Sequence, residues 1–450
     1  MKLRNLFLAS VACAGLFTAC SNEMDETIDN GGNGTNKAEA AYATFSLQMP
    51  AGMSQTRATA PETEVGTDAE NKVSEVTLLF FNTADHSLTD NKTIALADLT
   101  PNANNTVYTT EALKVTKGTR FIYAFVNANA GIKNLAVGNT DAWKTITGTG
   151  TGTAADMSVA DKFAMSNAEV AAPVQISYTK AEDAAKSPLG IKVERTVAKV
   201  TYTGTKTDFS INNSAGAPYA TIQLQEIGLV NTNNAYYNLR RVSTDGSNPV
   251  IGGAEIDGIN YVVDPNFTEK APVNGMFGKT DYKAIGGSTF YCLENTMTKE
   301  AQLNGVTTGA MFKAQVTLAG ETAATTFYRY NGMLYTDVAK VKALVGITGD
   351  FTESVENWSN KMVDYYKDGI CYYPYWIKHV DNNNAKEMGI MEFGIVRNNV
   401  YKLAVSTISG IGAPTDKIDP ENPDETTDAF ISVKVEVKAW TVRKNENIEL

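Results

Sequence analysis

Residues 430–442 read FISVKVEVKAWTV. Ile431, Val433, Val435, Val437 and Ala439 fall on one face of an extended chain, and Ser432, Lys434, Glu436 and Lys438 fall on the other. A period of two carried by β-branched residues is the pattern of a half-buried strand, and it sets the fold class as β. After Ala439 the parity flips, with Trp440 and Val442 apolar, which predicts a bulge or a bend between two arms.

The same signature recurs upstream. KVSEVTLLFFNT (72–83), RFIYAFVNA (120–128), PVQISYT (173–179), KVERTVAKVTYTGT (192–205), ATIQLQEIGLVNT (220–232), MFKAQVTLAG (311–320), TTFYRYNGMLYT (325–336) and VYKLAVSTISG (400–410) are short and rich in β-branched and aromatic residues. Strands at this density predict β-sandwiches. Residues 336–345 and 352–366 carry helical spacing, the second with Val355, Trp358, Met362 and Tyr365 near one face, and read as helical insertions on the β scaffold. The Thr- and Gly-rich 138–158 reads as a long surface loop, and KAEDAAKSPLG (180–190) as a connector. A chain of 450 residues exceeds what one core usually serves. The expected division is a domain at 58–190 and another at 191–450.

The first twenty residues address the compartment. Lys2 and Arg4 precede an apolar run, 6–17, too short to span a bilayer, and Thr18-Ala19-Cys20 closes it. This resembles a bacterial lipoprotein signal, residues 1–19, with Cys20 as the acylated residue; an ordinary secretory signal is the alternative. Residues 21–38 are polar, acidic and glycine-rich, a tether that also resembles the surface-export signals of Bacteroides-type lipoproteins. Then comes AYATFSLQMPAGMSQTRATAPE (41–62), in which Ala43, Phe45, Leu47 and Met49 alternate with Thr44, Ser46 and Gln48 before Pro50 and Gly52 end the pattern. Arg57 stands alone in that tether, the only basic residue between Lys37 and Lys72.

Composition excludes some classes. A net charge of -11 with no basic cluster argues against nucleic acid, and 43% hydrophobic residues argue for a folded chain. Chemistry finds little to use. There are two histidines, His86 in a polar turn and His379 after CYYPYWIK (371–378), where it reads as the edge of an aromatic core. No G-x-S-x-G, H-E-x-x-H, C-x-x-C or P-loop occurs; GTGTGT (148–153) has no lysine after it. No catalytic residue, metal or cofactor is expected. The acidic 415–428 offers Asp416, Asp419, Glu421 and Asp424 as oxygen ligands for Ca²⁺, but the spacing is not that of an EF-hand, and a solvated loop is the reading preferred. With Cys13 in the signal and Cys20 acylated, Cys292 and Cys371 form either one disulfide or two buried thiols.

Four ordered landmarks now carry a resemblance: SLQMPAGMSQTRA (46–58), VERTVAKV (193–200), STISGIGAPTDKIDPENP (406–423) and VKVEVKAWTVRKNENIEL (433–450). Together they resemble the Bacteroides-type fimbrillins, the FimA and Mfa family of pilus subunits, with the Mfa-type shaft subunit the nearest form. The resemblance implies two transthyretin-like β-sandwich domains and export as a lipoprotein palmitoylated at Cys20. It implies a propeptide, 20–57, cut by an arginine-specific protease between Arg57 and Ala58. The removable strand would carry Phe45, Leu47 and Met49 out of a groove, and a donor strand with Ile431, Val433, Val435, Val437, Trp440 and Val442 would refill it from the next subunit. Partners implied are further copies of the chain, anchor and tip subunits, host or bacterial surface receptors, and the outer membrane through the precursor's lipid. The place implied is a cell-surface fimbrium serving adhesion and virulence. Two alternatives stand beside it: an alternating end that serves only its own domain, and a monomeric lipid-anchored adhesin or glycan-binding protein whose Tyr372, Tyr373, Tyr375 and Trp376 form a sugar platform.

Overall fold

Every alternating run quoted above forms strand in the computed structural model, which describes residues 39–50, 63–252, 261–267, 270, 277–384, 386–425 and 430–441. Cys20, Arg57, Ala58 and Val442 lie outside the described residues.

The amino-terminal body is made of β1 (Ala40–Ala43), β2 (Phe45–Gln48), β4 (Glu75–Asn82), β5 (Leu88–Ala95), β6 (Leu99–Pro101), β7 (Val107–Thr110), β8 (Leu113–Thr116), β9 (Gly118–Val126), β10 (Met165–Asn167), β11 (Val174–Ile176) and β12 (Leu189–Arg195); β3 (Thr63–Val65) belongs elsewhere. Its main sheet runs β5-β4-β9-β10-β12-β2-β7-β6, with β11 beside β9, and β1 pairs separately with β8. Three strands separate β2 from β4 in that order, yet Phe45 and Phe80 meet edge to face at 5.6 Å. The sheet therefore curls over its own core, which gathers Phe45, Leu47, Val76, Leu78, Phe80, Val115, Ile122 and Val193. Leu79 and Phe81, on the other face of β4, pack with Tyr123 and Phe125 against Ile132, Ala142 and Ile146. Burial on both faces is why LLFF carries no alternation.

The carboxyl-terminal body is a sandwich of β13 (Ala198–Tyr202), β14 (Asp208–Asn212), β15 (Pro218–Thr232), β16 (Thr289–Cys292), β17 (Gly309–Leu318), β18 (Ile370–Trp376), β19 (Asn399–Ile408) and β20 (Ile431–Thr441). One sheet runs β14-β15-β17-β18 and the other β16-β13-β19-β20-β3. Val200, Ile222, Leu224, Phe312, Val316, Tyr373, Leu403 and Val437 face inward from the two sheets and close one core.

The structure departs from the sequence reading in three places. β12 runs on through Gly190 to Arg195 inside the first sheet, across the position expected to divide the two bodies. The helix expected over 352–366 is only Val355–Ser359: Met362 turns left-handed at φ 59° and is 83% exposed, and Tyr365 lies in the strand Asp364–Tyr366. Met362 is thus on no helical face, although Trp358 is fully buried as expected. The stretch 138–158 is not one loop. It folds the short helices Ala142–Thr147 and Ala154–Met157, whose Ala142, Ile146 and Met157 are buried.

Candidate functional site

β2 is an interior strand with neighbours on both sides. Phe45, Ser46, Leu47 and Gln48 run parallel to Leu189, Gly190, Ile191 and Lys192, while Ser46, Leu47 and Gln48 run antiparallel to Thr109, Tyr108 and Val107. Further backbone bonds hold its ends: Leu189 N–H donates to the Thr44 carbonyl at 2.7 Å, and Met49 N–H to that of Thr106 at 2.8 Å. Upstream, β1 pairs with β8, and Tyr42 N–H donates to the Tyr178 carbonyl at 2.8 Å. The apolar side of the alternation is buried as read, since Ala41, Ala43, Phe45, Leu47 and Met49 are each no more than 3% exposed, but the polar side is not left open: Thr44 and Gln48 are buried too, and Ser46 is half-buried. Burying Phe45, Leu47 and Met49 contributes on the order of 1.5–3 kcal/mol apiece. Withdrawing β2 would uncover Tyr108, Ile191 and Phe80 and leave β12 and β7 each with one unpaired edge, their ladders to β10 and β6 remaining.

The other expected strand is likewise engaged. β20 pairs antiparallel with β19 through nine residue pairs, from Ile408↔Ile431 to Asn399↔Ala439, and Ala439, Trp440 and Thr441 pair parallel with Thr63, Glu64 and Val65. Ile431 and Val437 are buried in the sandwich core, whereas Val433 and Val435 are half-buried. The register shift in this ladder falls at Val405/Thr407, on β19, and no shift accompanies the parity flip at Trp440. The flip has another cause. Val437 faces the sandwich core, while Trp440 enters the core of the first body, edge-on to Phe163 at 5.7 Å and parallel to Tyr291 at 5.9 Å. The strand is handed from one core to the other.

That junction holds residues sequence reasoning missed. Glu70, in the short helix Asp68–Asn71, accepts from Tyr291 Oη at 2.6 Å and from Lys199 Nζ at 2.8 Å. Burial pushes its carboxyl up, but those partners and the Thr67 N–H hold it below the ordinary carboxylate range. Arg397 and Glu294 pair at 2.7 Å with both side chains fully buried. The capping signature TDAE (67–70) is the sequence signal that could have found this helix.

The aromatic run of β18 alternates. Tyr373 and Trp376 are buried, Tyr372 and Tyr375 half-buried, so the four do not form one exposed platform, although a groove of about 510 Å³ opens beside Tyr372, Pro374 and Tyr375. His379 is buried and shares a 2.8 Å hydrogen bond with Tyr401 Oη; His86 stacks on Trp143 at 4.1 Å. Cys292 and Cys371 are free, buried thiols, pushed up to about 12 and about 11 by burial.

In the acidic stretch, Asp416 pairs with Lys279 at 3.8 Å, and Asp424 is buried and accepts from Thr307 Oγ1. Among the described residues, no three His, Cys, Asp or Glu side chains gather as a metal set. Burial pushes Asp424 up to about 8, against the Thr307 hydrogen bond. The folded chain then holds a proton there that the unfolded chain releases near pH 4, so this contribution to stability is full below about pH 4 and is lost as pH rises toward 8. The melting temperature should fall between pH 5 and pH 8 in wild type and fall less in Asp424→Asn. An equal slope in both would refute the assignment. Glu194, pushed up to about 7 by burial against Arg240 and Arg397, adds a slope of the same sign in both proteins.

Residues 364–446 match the family model described as major fimbrial subunit protein type IV, fimbrillin, C-terminal. No curated protein matches. Among solved structures, a candidate cell adhesion protein from Parabacteroides distasonis is similar at TM-score 0.51 and 14% identity, covering 90% of this chain and 99% of its own; the likeness is one of fold. The tip fimbrial protein Mfa3 from Porphyromonas gingivalis, truncated at its carboxyl end, aligns at TM-score 0.41 and 12% identity, covering 89% and 100%. The matched region runs from the strand Asp364–Tyr366 through β18, β19 and β20, the half of the sandwich that carries the alternating end. On that match, the carboxyl-terminal region of this β-rich chain is similar to the fimbrillin family.

Proposed function

We propose that the chain is the structural subunit of a surface fimbrium. It is exported as a lipoprotein on Cys20, cut between Arg57 and Ala58, and polymerised by strand exchange in support of adhesion. One observation carries the reading. Arg57 falls between two strands that serve different bodies, β2 inside the first sheet and β3 on the edge of the second, so one cut there frees the plug and breaks no described strand. The groove that β2 leaves has open ladders on both sides and apolar pockets between, which is what a strand from another copy requires.

The donor is best placed beyond Thr441. Donation by Ile431, Val433, Val435, Val437 and Trp440 asks β20 to abandon nine pairs with β19 and three with β3. Donation by Val442 onward, with Ile448 and Leu450, asks nothing of that ladder. Anchor and tip subunits, an arginine-specific protease and surface receptors are the partners this function needs.

Electron microscopy of surface material, with amino-terminal sequencing, tests the proposal. Filaments whose subunits begin at Ala58, and acyl labelling of the precursor that vanishes in Cys20→Ala, are the expected results. A surface protein that stays monomeric and keeps its lipid would replace this reading with the anchored adhesin.

A further inference from the structure

Arg195, at the end of β12, is fully buried and joins four pieces of chain. Its Nε donates to the Glu70 carbonyl at 3.3 Å and its Nη2 to Asn71 Oδ1. Nη1 donates to the Trp440 carbonyl at 3.0 Å and to Asn398 Oδ1 at 3.4 Å. The guanidinium also lies 4.3 Å from the Trp440 ring centroid. Trp440 N–H in turn donates to the Asn398 carbonyl at 3.0 Å. Packing leaves no slack: a Cβ on Gly66 would come within 2.8 Å of Trp440 Nε1 and 3.0 Å of Arg195 Nη2.

Resting on the strand-exchange reading, we infer that Arg195 is a positioning residue for donation: by holding the Trp440 carbonyl and ring it fixes where, and in which direction, the chain beyond Thr441 leaves its own subunit to reach a second copy. Only a guanidinium can do this here. Its planar fork serves the Trp440 carbonyl, Asn398 and Asn71 at once while stacking on the indole, and an ammonium would have to choose among them. A fixed point of departure at Trp440 raises the effective concentration of a donor segment at the neighbouring groove and lowers the ordering cost on docking. The hold joins the carboxyl strand to the helix Asp68–Asn71, the first helix after the cleavage site, so it survives removal of the plug.

A split assay separates positioning from mere stability. The donor is full-length Arg57→Ala precursor, whose groove is filled and which can only donate. The acceptor is processed protein carrying Val442→Asp, Ile448→Asp and Leu450→Asp, which can only accept. Heterodimer formation is followed by native mass spectrometry. Arg195→Gln in the donor should slow it at least tenfold, and the same substitution in the acceptor less than twofold. Arg195→Lys, a milder change should Arg195→Gln fail to fold, should slow the donor by an intermediate factor. Equal slowing in both partners, or none in either, overturns the inference. Absence of dimer with the unsubstituted pair would overturn strand exchange itself, and this inference with it, and is told apart because no Arg195 variant is involved.

Discussion

Arg57→Ala subunits should reach the cell surface folded and lipidated, and should form no filaments. The plug they retain is held by ladders to β7 and β12 and by three large apolar side chains no more than 1% exposed. Those side chains contribute roughly 5–9 kcal/mol together before ordering costs. The tether makes this binding intramolecular. A strand joined covalently to its own groove competes at an effective concentration on the order of millimolar, which an untethered donor strand on another molecule does not match. Cleavage at Arg57 would abolish that advantage and break no strand among the described residues. Filament length by negative stain and the ladder of oligomers on gels give the readout, and filaments of ordinary length from Arg57→Ala would end the processing scheme.

Two truncations should behave oppositely. Removing 439–450 deletes Trp440, which fills space among Phe163, Tyr291 and Arg195, and Ala439, which is fully buried. It also strips the Asn398 carbonyl of the Trp440 N–H and Arg195 Nη1 of the shorter of its two hydrogen bonds. Emptying a site of that size costs about 3–5 kcal/mol, with the unpaired polar groups adding to it. The monomer should melt well below wild type. Removing only 442–450 should leave the melting temperature close to wild type and abolish polymerisation. If the shorter deletion also unfolds the monomer, or still yields filaments, the donor does not begin at Val442.

The β class was legible because its residues alternate. Ile431 to Ala439, and Phe45 to Met49, bury the side that periodicity assigns. What escaped was whatever depends on partners distant in sequence. The break at Trp440 was visible, but its meaning was not, because Phe163 and Arg195, which cover the indole, lie more than two hundred residues away in the chain. Ala142 and Ile146 were read as loop because a six-residue helix spans under two turns, too few for a 3.6 period to register. Met362 and Tyr365 kept helical spacing by coincidence across a left-handed turn. The end of the first body was placed at Gly190 on composition, whereas pairing with β10 and β2 carries β12 to Arg195. Of β2 and Met49 after it, every buried apolar residue was read as such in advance; of the junction that holds the carboxyl strand, only Trp440 was.

β2 runs parallel to β12 and antiparallel to β7. A replacement strand entering head first or tail first would each time find one parallel and one antiparallel neighbour, so the hydrogen-bonding frame is nearly blind to its heading. Within the groove, the sequence of pocket sizes left by Phe45, Leu47 and Met49 is what distinguishes the two headings. In a polymer built this way, the polarity of the fibre would be read from side-chain volume at the groove and from the direction of departure at Trp440, and a donor whose apolar residues were made identical in size would keep only the second of these.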